Sequence, residues 1–139
     1  MFLGEYQTKF SGQGRIILPK KFRKELLGVK EIVLSRGYEG CIWGYSVTDF
    51  EKVAERQLAI SPTEEGARSI RRYLFSGAEE TILDEQGRFV IPKNLIEYAG
   101  LAEEVVLIGT GDHFEIWNPE KWVEMINKIL NKENNENNN

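Results

Sequence analysis

The sequence predicts an α+β protein made by tandem duplication of one small loop, strand and helix unit, and three observations carry that prediction. The phrase Gln13-Gly14-Arg15-Ile16-Ile17-Leu18-Pro19-Lys20 returns as Gln86-Gly87-Arg88-Phe89-Val90-Ile91-Pro92-Lys93, with arginine, proline and lysine each displaced by 73 residues. The likeness continues from 27–34 into 99–107 after a one-residue slip, and Trp43 and Trp117 stand 74 apart. The repeat is longer than the periods of roughly 20–50 residues that mark solenoids, so two copies of a domain-like unit are expected.

Inside the phrase, glycine before arginine allows a positive φ where a side chain would clash and leaves the guanidinium exposed. The β-branched run that follows is strand-like. Proline then closes the strand and opens a helix, since its missing N–H costs nothing at a first helical position. A lone Gly-Arg pair is also what an ordinary hairpin turn shows; two copies with the same flanks argue for a shared role.

Along the first copy, Phe22 and Leu26 lie one turn apart on a short helix that Pro19 begins and Gly28 ends. Strands follow at about 31–35 and 40–45, joined by Arg36-Gly37-Tyr38-Glu39, a hairpin-length connection. Thr48 with Glu51 forms a capping box, and Phe50, Val53 and Ala54 stripe the helix it opens. Ser61-Pro62-Thr63-Glu64 marks another helix start, running to about Phe75 and carrying Arg68, Arg71 and Arg72 toward DNA or toward acidic neighbours at a subunit contact.

In the second copy Leu95 and Ala99 repeat the short helix, with Gly100 as its stop, and strands are expected at about 105–109 and 114–117. Asn118-Pro119 starts a last helix, with Trp122, Ile126, Ile129 and Leu130 on one stripe. Residues 132–139 contain no apolar side chain and are expected to be disordered. The chain thus divides into a first unit with its helix (1–60), a linker helix (61–77), a second unit with the C-terminal helix (78–131) and a tail.

At 139 residues and 41% hydrophobic, the composition is that of a globular protein. Each half alone is of a size at which a core is marginal, so the halves should pack together and the whole should self-associate. No apolar stretch approaches the ~18 residues of a membrane span, and the start Met1-Phe2-Leu3-Gly4-Glu5 lacks a basic signal-peptide region. A cytoplasmic protein without a membrane partner is expected. The single cysteine, Cys41, beside Ile42 and Trp43, reads as a buried, inert thiol.

The net charge of −4 conceals a division. Residues 1–30 hold seven cations (Lys9, Arg15, Lys20, Lys21, Arg23, Lys24, Lys30) against Glu5 and Glu25, a net +5, which leaves −9 for the remainder. Such asymmetry marks an anion-binding end on an acidic body. A solvated helix face explains Lys21 and Lys24, but it does not explain Arg15 on its glycine turn.

Catalytic constellations are thin. His113 and Cys41 are the only residues of their kinds and are remote in sequence, too few for a zinc cluster or a Cys-His nucleophile pair. Gly109-Thr110-Gly111 lacks the third glycine and the helix of a dinucleotide loop, and His113 reads as a hairpin-tip residue. Asp84 and Glu85 are adjacent, hence on opposite sides of an extended chain. No enzyme, cofactor, metal or small-molecule substrate is expected.

Several separate motifs resemble the MraZ family of bacterial transcriptional regulators: Met1-Phe2-Leu3-Gly4-Glu5-Tyr6, Gly14-Arg15 with Pro19, Arg72-Tyr73-Leu74-Phe75-Ser76-Gly77-Ala78, and Asp84-Glu85-Gln86-Gly87-Arg88. The resemblance covers nearly the whole chain except its asparagine-rich end. It implies two AbrB-like swapped-hairpin units, of double-psi-like β-barrel type, each marked by Asp-x-x-x-Arg. It further implies assembly into a ring-like homo-oligomer, association with the nucleoid, and binding to short direct repeats in double-stranded DNA upstream of the family's own division and cell-wall operon, usually as a repressor.

Carried over by position, Asp84 and Arg88 complete the second motif. In the first, Ser11 occupies the aspartate place and Gln13 a place where lysine is common, leaving Arg15. Serine is expected to hold the turn as aspartate does, but more weakly. The expected DNA-binding residues are therefore Arg15, Lys9, Gln13, Lys20, Lys21 and Arg23; the second motif, Asp84 and Arg88, is structural or DNA-contacting, with Arg88 expected to be held by Asp84 or by a subunit neighbour in a mainly structural role. An AbrB-like antitoxin and a ring-forming interaction protein without a DNA role remain as alternatives.

Overall fold

The computed structural model describes residues 1–137. In chain order its elements are β1 (Glu5–Lys9), β2 (Arg15–Ile17), α1 (Lys20–Glu25), β3 (Glu31–Arg36), a 3-10 turn (Tyr38–Gly40), β4 (Ile42–Ser46), α2 (Val47–Leu58), α3 (Glu65–Ser76), β5 (Glu79–Ile82), β6 (Arg88–Val90), α4 (Lys93–Ala99), β7 (Glu104–Gly109), β8 (Phe114–Trp117) and α5 (Pro119–Asn137). The class is α+β.

The two copies follow one another along the chain but interleave in space. One antiparallel sheet has the order β1-β7-β8-β4-β3-β5, and β2 pairs with β6 in a separate two-stranded ribbon. Exchanging each element for its counterpart in the other copy (β1 for β5, β3 for β7, β4 for β8) returns the same order reversed, so the sheet has an approximate two-fold axis between β4 and β8. Each copy's opening strand pairs with the other copy's third: Lys9 with Glu104 and Glu5 with Ile108 on one edge, Ile82 with Glu31 and Glu79 with Leu34 on the other. Marginal half-size units thereby share one core.

That core is continuous across both copies. Ile16, Leu18, Phe22, Phe89, Ile91 and Leu95, from the ribbon and the short helices, meet Ile32, Leu34, Ile42, Leu107, Phe114 and Ile116 from the sheet, all essentially without solvent contact. Phe22 stands at its centre, 5.5 Å from the Phe2 ring, 5.1 Å from Tyr6 and 5.7 Å from Phe114. On the other face of β7, Val106 and Ile108 join Cys41 and Trp117 in a second cluster that Trp122 and Met125 of α5 cover. Burial pushes the Cys41 thiol far above its ordinary pKa, and its Sγ donates to the Tyr38 carbonyl.

Several local expectations change. The cap of α2 is Ser46, whose Oγ accepts from the Asp49 N–H at 3.1 Å, because Thr48 already lies inside the helix. At α3, Ser61 closes its own short turn by accepting from the Thr63 N–H, and Glu64 occupies the cap position without a side-chain bond. Arg68 and Arg71 of α3 are engaged within the chain: Arg68 donates to the Pro62 and Thr63 carbonyls and Arg71 to those of Leu58 and Ile60, bracing the α2–α3 connection. The stretch expected to be disordered from Lys132 continues α5 as far as Asn137, because extending an existing helix costs far less than starting one. Residues 138 and 139 lie outside the described residues.

Candidate nucleic-acid interface

The β2–β6 ribbon has one buried and one open face. Ile16 pairs with Phe89, and both point into the core; Arg15 pairs with Val90 and Ile17 with Arg88, and alternation sends all four outward. Arg15 and Arg88 therefore stand on one diagonal of an outward quartet, with Ile17 and Val90 on the other. Sequence reasoning passes over Ile17 and Val90 by treating the run as uniform strand; the missed signal is the out, in, out pattern around Ile16 and Phe89.

The loops that carry the two arginines are built differently. In the second, Asp84 Oδ1 accepts from the Gln86 and Arg88 N–H groups, both at 2.9 Å, while Oδ2 accepts from Arg88 Nε at 2.9 Å. The backbone bond from Arg88 leads the causes that hold the Asp84 carboxyl below its ordinary value. Gly87, at φ 81, turns the chain. Among the described residues the Arg88 terminal amino groups make no hydrogen bond or ion pair, so the guanidinium is steered from its Nε side and leaves its outer donors unpaired.

In the first loop the Ser11 hydroxyl forms no hydrogen bond among the described residues, contrary to the expectation that serine would hold the turn. Only backbone bonds close it, Ser11 N–H to the Arg15 carbonyl at 2.8 Å and Arg15 N–H to the Gly12 carbonyl at 3.0 Å. Three successive positive φ values, at Gly12 (69), Gln13 (32) and Gly14 (76), let the chain turn without a carboxylate. Arg15 is exposed and has no side-chain partner among the described residues.

Antiparallel pairing also redistributes the expected cations. The Leu18 N–H donates to the Gly87 carbonyl and the Ile91 N–H to the Gly14 carbonyl, so each loop sits against the helix start of the other copy. Arg23 of α1 consequently reaches the second loop, where its Nη1 donates to the Gln86 carbonyl at 3.4 Å; with Lys30, Asp84, Glu85 and Gly87 it lines a groove of about 400 Å³. Lys20 and Lys21 stay exposed at the same end of the ribbon. At the other end Lys9 and Gly14 line a groove of about 460 Å³ with Phe10, Ile96 and Ala102. Lys9 lies 3.8 Å from Glu104 with both side chains largely in solvent, a weak pairing. Arg15 and Gln13 thus stand away from the basic helix that follows them in the chain, and α1 brings Arg23 to the second loop.

His113 is at a hairpin tip but is not free. Its ring stacks on Tyr45 at 4.7 Å, Nδ1 lies 2.7 Å from Asp112 Oδ1, and Nε2 lies 3.6 Å from Glu115 Oε2, an ionic separation rather than a hydrogen bond. Glu115 also accepts from the indole N–H groups of Trp43 and Trp117. Among the described residues no group of three or more His, Cys, Asp and Glu side chains is placed to hold a metal ion, and no helix is long and apolar enough to cross a membrane.

The family whose description reads "MraZ protein, putative antitoxin-like" matches residues 1–73 and again 74–139. The chain belongs to the MraZ family. The join between the two matches falls inside α3, which links the copies. Proteins named Transcriptional regulator MraZ are similar over most of their length: that of Dictyoglomus thermophilum is 44% identical across 97% of this chain and 88% of its own, and that of Clostridium acetobutylicum 42% across 89% and 86%. That of Syntrophomonas wolfei is 44% identical across 89% and 85%. In this MraZ-family chain both arginine loops therefore lie within family-matched sequence.

Proposed function

We propose that this MraZ-family protein is a transcriptional regulator that binds short direct repeats in double-stranded DNA upstream of its own division and cell-wall operon, as a repressor and as a ring-like homo-oligomer in the cytoplasm, at the nucleoid. Its interleaved copies are AbrB-like swapped hairpins. The observation that carries this reading is the ribbon face: two outward arginines, Arg15 without a side-chain partner among the described residues at one end and Arg88 steered by Asp84 at the end where α1 brings its exposed lysines. Arginine forks read guanine O6 and N7 in the major groove, while lysines position the protein on phosphates without reading sequence. A groove that admits a two-stranded β-ribbon fits an element only three residues long per strand.

The name of the relatives supports transcriptional regulation. The antitoxin alternative needs a C-terminal segment that folds on a toxin; the first turns of α5 instead pack on the protein's own Trp117, with Trp122 at 5.6 Å.

Titrating labelled upstream DNA and a scrambled control at two salt concentrations tests the reading. Specific binding that weakens with salt is expected. Equal affinity for both sequences removes sequence-specific regulation, and no binding to either removes the DNA role.

A further inference from the structure

The ribbon's second diagonal has no place in the reading above. Outward positions of a half-solvated strand pair are ordinarily polar, yet Ile17 is 42% exposed and Val90 40% exposed. They are the same repeat position in the two copies, 73 residues apart, so the exception occurs twice. Scattered exposed aliphatics need no explanation; these two alternate with Arg15 and Arg88 at the corners of one quartet, each aliphatic directly opposite an arginine. Opposed residues in such a pair lie about 5 Å apart, and successive outward residues along a strand about 7 Å.

We infer that Ile17 and Val90 are specificity residues that contact thymine C5-methyl groups in the major groove. The inference rests on the DNA reading proposed above and adds which base it distinguishes. The thymine methyl is the apolar feature of the major-groove edge, and aliphatic contact is how proteins recognise it. About 7 Å along the strand matches about two base steps at 3.4 Å each, so an arginine on a guanine brings the aliphatic of its own strand over a base two steps away. A β-branched side chain with one preferred χ1 loses little freedom on docking. Both arginines, meanwhile, carry charge complementary to the phosphates that flank the groove.

The experiment compares the upstream fragment made with thymine against the same fragment made with uracil, which lacks only the methyl. Parent protein and the Ile17→Ala/Val90→Ala double variant are titrated with each. A methyl worth about one buried methylene corresponds to about fourfold in affinity, so the parent is expected to bind uracil DNA at least fourfold more weakly. The double variant is expected to bind both fragments equally, with the parent's salt slope, melting temperature and oligomer mass.

A parent that binds both fragments specifically and equally overturns the inference while leaving the DNA reading standing. A double variant that keeps the parent's thymine preference, or that loses subunits, also overturns it, the latter by making the pair a subunit contact. No sequence-specific binding by the parent to either fragment overturns the inference together with the reading it rests on.

Discussion

Arg88 Nε is fixed to Asp84 Oδ2 at 2.9 Å, whereas Arg15 at the equivalent repeat position has Ser11 four residues before it and no side-chain partner among the described residues. One loop is pre-set by a carboxylate that makes three hydrogen bonds, and the other is shaped by glycines.

This difference predicts opposite effects from matched substitutions. Arg15→Ala removes no intramolecular bond, so the melting temperature should hold while specific DNA affinity falls by about 1–3 kcal/mol, the worth of a good arginine–guanine contact. Arg88→Ala strands the Asp84 carboxylate in its turn and should lower the melting temperature and disturb assembly as well. Melting curves, oligomer mass and DNA titrations of both variants check this; an Arg88 variant that is equally stable and assembled yet no longer binds makes that arginine a DNA contact alone.

Asp84 also predicts an acid limb. Its folded pKa is depressed below the ordinary 3.8, chiefly by the Arg88 N–H. Its contribution to stability is therefore fully present above the unfolded value and is lost as pH falls through the lower folded one. Asp84→Asn should melt below the parent at neutral pH, and the gap should close as pH drops below about 4. A gap that persists unchanged into stronger acid contradicts a charge-dependent turn.

Lys21, exposed on α1 and without a partner among the described residues, is a phosphate contact in the proposed reading. Lys21→Ala should weaken binding to all sequences alike and flatten the log–log salt slope by about 0.9. A changed sequence preference with an unchanged slope would assign it to base readout instead.

What was legible in the sequence was local. Gly14 and Gly87, Pro19 and Pro92, and Gly100 in left-handed conformation at the end of α4 all act where their residue types demand particular φ values. What was not legible was partnership across the sheet. Nothing in the alternation of 5–9 distinguishes β7 from β3 as its neighbour, and that choice places Arg23 beside Gln86 rather than beside Arg15. Capping follows the same rule: Ser46 and Thr48 both offer a hydroxyl, and β4, which stays extended through Ser46, leaves that residue outside the helix and Thr48 within it. At the candidate site the arginines were visible as a repeated motif, while the outward placement of Ile17 and Val90 required knowing which face of the ribbon the core covers.

The box around His113 gives the last prediction. Burial lowers the His113 pKa, but the Asp112 and Glu115 carboxylates outweigh it and leave the group above its ordinary 6.5. Burial acts upward on Glu115, yet the nearby His113 and the indole bonds from Trp117 and Trp43 hold it below 4.5. A raised histidine contributes stability below its unfolded pKa and loses it as pH rises through the folded value; a depressed carboxylate contributes above its unfolded pKa and loses it as pH falls. Both contributions are complete only between about pH 4.5 and 6.5. Relative to His113→Gln, the parent should therefore show its greatest excess in melting temperature within that window, shrinking above pH 7 as the imidazolium deprotonates. The other groups facing the ring, Tyr45 and Trp43, do not titrate in this range, Tyr45 because burial raises it well above 10. An excess that grows with pH above 7 would mean that the neutral imidazole, stacked on Tyr45, is the stabilising form.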